Sequence, residues 1–501
     1  MATRKLVLLP VLLFLAVLTA SASKQQLTER RVSEAQQCRF QRLRSIQPDQ
    51  RIESEGGFSE LWSQNEEQFQ CAGVSAMRNV IRPQSMYVPA FQPTPRLVFI
   101  ERGIGLIGLH LPGCAETFHA ESERGSSKWW KPWGRRGEQG RGEQDPWSGQ
   151  GEHGQEERGQ GQGREQISMK DQHQKVFRVR QGDIVALPPG ITHWCYNDGN
   201  EEFVAISIDD LNHQANQLDL SFRQFHLAGG VPRQEIRGGQ GQGRFNFQNI
   251  LSGFDSRLLA QAFGVSPDLL ERMQQETQRG FIVKTEEMSM IRPQEEQEER
   301  FERGSEGGRK WWSRDNDDNG LEETMCSVKI RYNLDRSGEA EVFSKQAGRI
   351  NSVNQNKLPI LQYLDMSAER GHLYPNALFT PHWSSNEHTV IYVTQGDARI
   401  QVVDQQGETV FDDKVNEGDL FVIPQFFVSM GQAGSNGFKY TAFKTSSQQF
   451  KHPLAGYTSV LNAMPIQVLA NSFQISPADA RNLKQSLHGE TFLMSPSSRP
   501  H

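Results

Sequence analysis

The chain has 501 residues, enough for two or more domains that each bury a core of their own. Hydrophobic residues make up 36% and Gly numbers 45, a globular but dilute composition. The formal charge of −6, from 54 Lys and Arg against 60 Asp and Glu, argues against a nucleic acid or an anionic membrane as partner.

Residues 1–22 read as a secretory signal. Arg4 and Lys5 form a basic start, Leu6 to Leu18 is almost unbroken apolar sequence, and Ala20-Ser21-Ala22 offers small residues for cleavage. The apolar run is short for a membrane span, and no other segment is long and apolar enough to be one. The mature chain is expected to begin near Ser23. Entry into the secretory pathway permits disulfides. There are five cysteines, Cys38, Cys71, Cys114, Cys195 and Cys326. One must stay unpaired within the chain, and pairing any four leaves three connectivities open.

A first β-rich part follows, with a glycine turn at Gly103 that Gly396 repeats in the second part. Leu97-Val98-Phe99-Ile100 precedes Gly103 and Leu106-Ile107-Gly108-Leu109 follows it; Gly182-Asp183-Ile184-Val185-Ala186-Leu187-Pro188 comes later. Between them, about 121–171 is a Gly, Gln, Glu and Arg run that cannot bury enough apolar surface to order itself, so a disordered insert is expected. Its Arg-Gly sequences suggest RNA, but Gly134 to Arg164 holds five Arg against six acidic residues. The electrostatic drive for RNA is therefore missing. Apolar residues at helical spacing mark an arm from Asn249 to Met273, and a second charged run fills 295–319.

The second part repeats the first. Val390-Ile391-Tyr392-Val393 precedes Gly396, Gly418-Asp419-Leu420-Phe421-Val422-Ile423-Pro424 matches the run from Gly182, and a second arm spans Ser459 to Leu483. The arms correspond residue by residue: Leu258-Leu259-Ala260, Phe263 and Ser266-Pro267 match Val468-Leu469-Ala470, Phe473 and Ser476-Pro477. Duplicated domains are implied, each an antiparallel sandwich or barrel of short strands. The units expected are 23–294, the linker 295–319, 320–490, and a flexible tail 491–501.

Gly182-x5-Pro188-x-Gly190-x2-His193-x3-Asn197 resembles the second signature of the cupin superfamily. The resemblance implies a mainly β fold of two cupin jelly-roll barrels, each followed by a helical arm. Many cupins are enzymes that hold a metal through three His and one Glu. Counting from Gly103, the first half places Pro89, Phe91, Arg96 and His193 at those positions. Counting from Gly396, the second places His382, Ser384, Thr389 and Ser429, with Glu387 and His388 out of register. One ligand of four remains in each, too few for a divalent ion. His193 and His382 are then expected to be hydrogen-bonded packing residues. No catalytic, cofactor-binding or metal-binding set is expected, and a metal-dependent bicupin enzyme of the oxalate-degrading type is the disfavoured alternative. A cupin holding a small ligand in its vacant barrel is a third reading.

Asn319-Gly320-Leu321-Glu322-Glu323-Thr324-Met325-Cys326 follows an exposed, turn-prone acidic run. This N-G-L-E-E-T-x-C sequence closely resembles the maturation site of the legumin-type (11S) seed storage globulins. The resemblance implies cleavage between Asn319 and Gly320 by an Asn-specific vacuolar endopeptidase, giving acidic and basic chains. It also implies an intra-chain Cys38–Cys71 bridge, an inter-chain Cys114–Cys326 bridge, and Cys195 as a free, buried thiol. It further implies a nitrogen and amino-acid reserve assembled as a homo-oligomeric trimer and then a hexamer, possibly mixed with related globulins. The destination would be the protein storage vacuole of seeds, and such globulins are often food allergens.

Overall fold

The structure, a computed structural model, describes residues 38–495 except 41, 63–65, 115–117, 121–170, 175, 231–247, 276–278, 287, 289–290, 292–325, 327 and 488–491. The expected signal (1–22), all but the last residue of the insert 121–171, the linker 295–319 with Asn319 and Gly320, and most of the tail lie outside the described residues.

The first barrel is two antiparallel sheets. One runs in the order 50–54, 57–61, 74–81, 203–210, 96–102, 183–187 and 331–333; the other runs 225–226, 85–91, 192–197, 104–110 and 176–180, with 282–284 also on 85–91. Strand Phe203–Asp210 is buried at every position, as a strand covered on both faces must be. The second barrel is one continuous sheet that closes around itself through two long strands, Thr389–Val403 and Val428–Lys444.

The two glycines expected at turns behave differently. Gly103 (φ 85°) separates strands Arg96–Arg102 and Ile104–His110. Gly396 (φ 74°) lies inside the unbroken strand Thr389–Val403, where register shifts on either side of it turn a barrel corner. A Cβ there would meet Gly437 O at 2.1 Å, so only glycine fits the corner.

The halves are not self-contained. Strand Arg331–Asn333 pairs with Asp183–Leu187 of the first barrel. In the other direction, Leu43 N donates to Val410 O at 3.1 Å, Ile46 N to Leu420 O at 3.0 Å, and Leu420 N back to Ile46 O at 2.9 Å. The largest apolar cluster joins Leu97, Phe99 and Ile206 of the first part to Leu361, Val390 and Phe443 of the second. Each such buried side chain contributes roughly 1.5–3 kcal/mol, so this shared core dominates how the parts are held together.

Each expected arm is a chain of short helices. The first is a 3₁₀ turn Ile250–Gly253, then Ser256–Phe263 and Pro267–Gln274. The second is Val460–Ala463, Ile466–Phe473 and Pro477–Ser486. The breaks fall at Gly264 and Gln474, both left-handed and 210 positions apart (474 − 264). Each is followed by a serine that caps the next helix, Ser266 accepting from Leu269 N and Ser476 from Asp479 N, with proline at its first position.

Candidate functional site: the two barrel interiors

In the second barrel, strand Leu378–Ser384 carries His382 and Ser384, strand Thr389–Val403 opens with Thr389, and strand Val428–Lys444 carries Ser429. His382 lies directly across from Ser429 in the ladder. All four counted positions line one internal cavity, so the count from Gly396 identifies the right places. They supply one imidazole and three hydroxyls, a donor set without the carboxylate and further imidazoles that manganese or iron favour. Among the described residues no group of three or more His, Cys, Asp and Glu could hold a metal ion.

His382 is buried. Its Nδ1 lies 2.8 Å from Thr380 O and its ring stacks on Phe379 at 4.4 Å between centroids. Burial, reinforced by the nearby Lys451 charge, lowers its pKa to about 3, so it is a neutral packing residue.

The cavity's charge comes from residues to which the sequence reading gave no role. Lys444 Nζ donates to Glu387 Oε1 at 2.6 Å and to Thr389 Oγ1 at 3.1 Å. Lys451 pairs with Glu369, whose Oε1 also accepts from the Tyr440 hydroxyl at 2.7 Å. Burial alone would raise the Glu369 pKa, but the Lys451 and Lys444 ammoniums overcome it and hold the carboxyl down to about 2. Glu387, out of register for a metal ligand, is thus the buried partner of a lysine.

The first barrel solves the same interior differently. Arg96 Nε and Nη2 meet Asp209 Oδ1 and Oδ2 at 3.0 and 3.2 Å, and Thr94 Oγ1 donates to Oδ1 at 3.1 Å. Arg96 pairs across the ladder with Asp209 as Thr389 pairs with Lys444 in the second barrel. The acidic and basic members of the buried pair have therefore changed sides between the copies. His193 sits opposite Ala90, between the counted Pro89 and Phe91, with Tyr87 stacked 6.4 Å away. Burial first, then the Arg96 charge, lowers His193 to about 3, and the same two causes lower His226 to about 3.

Comparisons with known proteins agree with this geometry. The Cupin family model matches residues 44–237 and 332–481. 11S globulin seed storage protein 2 of Sesamum indicum is 48% identical over 485 residues, covering 96% of this chain and 97% of that protein. The crystal structure of the coconut allergen cocosin superposes with a TM-score of 0.71 at 36% identity, covering 92% of this chain and all of that one (100%). Pumpkin seed globulin gives 0.73 at 34%, with the same coverage of 92% and 100%. The chain belongs to the 11S globulin (legumin-type) family of the cupin superfamily.

Like these relatives, this 11S globulin is not an enzyme. Its cysteines form bonds Cys38–Cys71 and Cys114–Cys326, with Cα atoms 5.4 and 5.5 Å apart and sequence separations of 33 and 212. Cys195 is unbonded, on a central strand between Tyr87 and Ile107. Burial pushes its thiol far above the ordinary range, which makes it a poor nucleophile.

The helical arms of this 11S globulin leave apolar side chains uncovered. Phe254, Leu258 and Phe263 of the first are 60%, 68% and 50% exposed, and Phe473 of the second is 56%. Leu251 and Leu259 are partly covered. The stripe is therefore largely uncovered in the single subunit.

Proposed function

We propose that this 11S globulin is a seed reserve of nitrogen and amino acids, cut after Asn319 and stored as a symmetric oligomer. The observation that carries the reading is the pair of barrel interiors. Each keeps the cupin frame yet fills its metal positions with hydroxyls, an ion pair and apolar side chains. A fold stripped of its chemistry but retained in bulk suits a protein valued for its composition. The full-length likeness to seed storage globulins supports the same conclusion.

In this proposal an Asn-specific vacuolar endopeptidase separates an acidic chain ending at Asn319 from a basic chain starting at Gly320. Cys114–Cys326 ties them together. The exposed arm residues Phe254, Leu258 and Phe473 support docking on neighbouring subunits, first as a trimer, since uncovered aromatic and aliphatic patches of this kind mark interfaces. Removing the charged 295–319 run from one trimer face would let two trimers stack as a hexamer. The secretory signal at 1–22 and the storage vacuole of the seed complete the route, and the allergenic potential of relatives such as cocosin extends here as part of the same proposal.

The test is a pair of gels of native protein, non-reducing and reducing, with N-terminal sequencing of the smaller reduced band. A band released by reduction and beginning Gly320-Leu321-Glu322 is the expected result. A single uncut chain in both lanes from mature seed would overturn the processing scheme.

A further inference from the structure

The loops at one end of the second barrel are drawn together by their own hydrogen bonds. Phe426 N donates to Ser384 O at 2.9 Å, and Ser385 N donates to Phe450 O at 3.0 Å. Ser384 O and Ser385 N belong to one peptide group and point opposite ways, so the two phenylalanines flank it. Asn386 Nδ2 donates to Gln448 O at 2.6 Å, and Gln425 Nε2 to Ser385 O at 2.7 Å. Both phenylalanines nevertheless stand out in solvent: Phe426 is 62% exposed and Phe450 53%.

The first barrel shows that the fold requires neither aromatic. Gly418-x5-Pro424-x-Phe426 matches Gly182-x5-Pro188-x-Gly190, which puts Phe426 where the first barrel has glycine. Both residues are left-handed, with φ 67° and 78°, and Gly190 N makes the corresponding bond, to Gln92 O at 2.7 Å. Left-handed backbone suits glycine and is costly for a bulky side chain. Phe450, six residues after Lys444, corresponds to the exposed Ala215, six after Asp209. The second barrel therefore carries a strained phenylalanine that its own subunit leaves mostly uncovered. A residue kept against the local backbone rule points to a use for its side chain.

The chemistry around the pair selects the occupant. Along Ser384–His388, Pro424–Phe427 and Thr445–Phe450 the only acidic or basic side chains are Glu387 and His388. Glu387 is buried on Lys444, and burial lowers His388 to about 4 and keeps it neutral. Asp365 beside them accepts from Ser447 N at 3.2 Å. What these loops present around the two rings is serine, asparagine and glutamine, poor ground for an ion or a nucleic acid. The two phenylalanines expose roughly 230 Å² between them, far short of the ~800 Å² that a stable protein partner covers. A sugar ring matches both features, since its face of C–H groups lies on an aromatic ring and its hydroxyls meet neutral amides. We propose that this end of the second barrel binds a neutral hexose oligosaccharide, its rings stacked on Phe426 and Phe450 and its hydroxyls on the amides and hydroxyls around them. The first barrel, with Gly190 and Ala215, has no such platform. The proposal goes beyond the storage reading and does not depend on it.

Ligand-observed NMR titration of the full-length protein tests this with maltohexaose, cellohexaose and mannohexaose, and with hexagalacturonate as the anionic control. At least one neutral hexamer should bind with a Kd of about 1 mM or tighter, and hexagalacturonate at least about tenfold more weakly. Phe426→Gly removes the ring and suits the left-handed backbone, so its Tm should be unchanged or higher while the sugar binds at least about tenfold more weakly. Phe450→Ala should weaken binding likewise, and Phe426→Tyr, which keeps a ring, should retain it. No binding of any neutral hexamer, tighter binding of hexagalacturonate, or neutral binding that survives Phe426→Gly would each overturn the proposal. A lower particle mass for Phe426→Gly in light scattering would also overturn it, by assigning the ring to a contact between copies.

Discussion

Lys444 Nζ and Glu387 Oε1 lie 2.6 Å apart with side chains 1% and 0% exposed. Both charges are far from water, so their value depends on each other's presence. Removing one partner leaves a buried charge with no counterion, whereas replacing both with apolar groups does not. Lys444→Met is therefore expected to cost ~3–5 kcal/mol, and the double change Lys444→Met with Glu387→Leu to recover most of it. Urea unfolding of the three proteins checks this; equal losses in the single and double variants would show that the pair is not coupled.

Acid should weaken the fold over a definite window. His193, His226 and His382 fall to about 3 in the folded state from an ordinary 6.5. Between those values the unfolded chain binds more protons, so stability is full above pH 6.5 and is lost as pH falls toward 3. Going from pH 6.5 to 5 removes roughly 2 kcal/mol for each such histidine. Glu369, lowered from 4.5 to about 2, adds a loss of the same sign below pH 4.5. Denaturation midpoints measured from pH 7.5 to 4 should fall accordingly, and His193→Gln with His382→Gln should flatten the slope. A midpoint independent of pH would show that these imidazoles are not held neutral.

Reduction of Cys114–Cys326 in the processed protein should not separate the two chains under native conditions. Residues 43–46 of the acidic chain are hydrogen-bonded to the basic chain, and strand 331–333 of the basic chain completes an acidic-chain sheet. Size exclusion with reductant is expected to show both chains co-eluting, and only added denaturant should part them. Separation by reductant alone would mean that the shared core is weaker than its burial implies.

Assembly should fail where the arms are recharged. Leu258→Glu and Phe254→Asp place charges on side chains that are exposed in the single subunit, so the subunit's own stability should change by less than about 0.5 kcal/mol. If these residues anchor a subunit contact, each change costs ~2 kcal/mol or more of association. Light scattering would then report single subunits from a protein with unaltered melting. Intact trimers in both variants would place the interface elsewhere.

Much of the fold was legible because the same local chemistry occurs twice. Two Gly-Asp runs ending in proline, and the spacing to His193, led to two barrels. Counting from Gly396 found the four residues that converge on one cavity, since strand alternation carries that information. The ion pairs were not legible. Glu387 and Lys444 are 57 residues apart, Glu369 and Lys451 82, and Arg96 and Asp209 113, and only strand register brings them together. The arms were read as continuous although Gly264 and Ser266-Pro267 spelled out a stop and a new cap within the run. Apolar residues continue at helical spacing across that interruption, so periodicity alone does not reveal it. Gly396 reads in sequence as a turn between strands because a bulge inside a long strand and a hairpin turn place the same demand on one residue.

The strand 331–333 and the segment 43–46 each complete the other part's barrel. A polypeptide severed between them keeps a shape that neither fragment encodes by itself. Were the chain cut after Asn319 as proposed, the pieces would inherit a shape set before the cut, with Cys114–Cys326 still linking them. Such an inheritance suits a reserve laid down to be dismantled a single time.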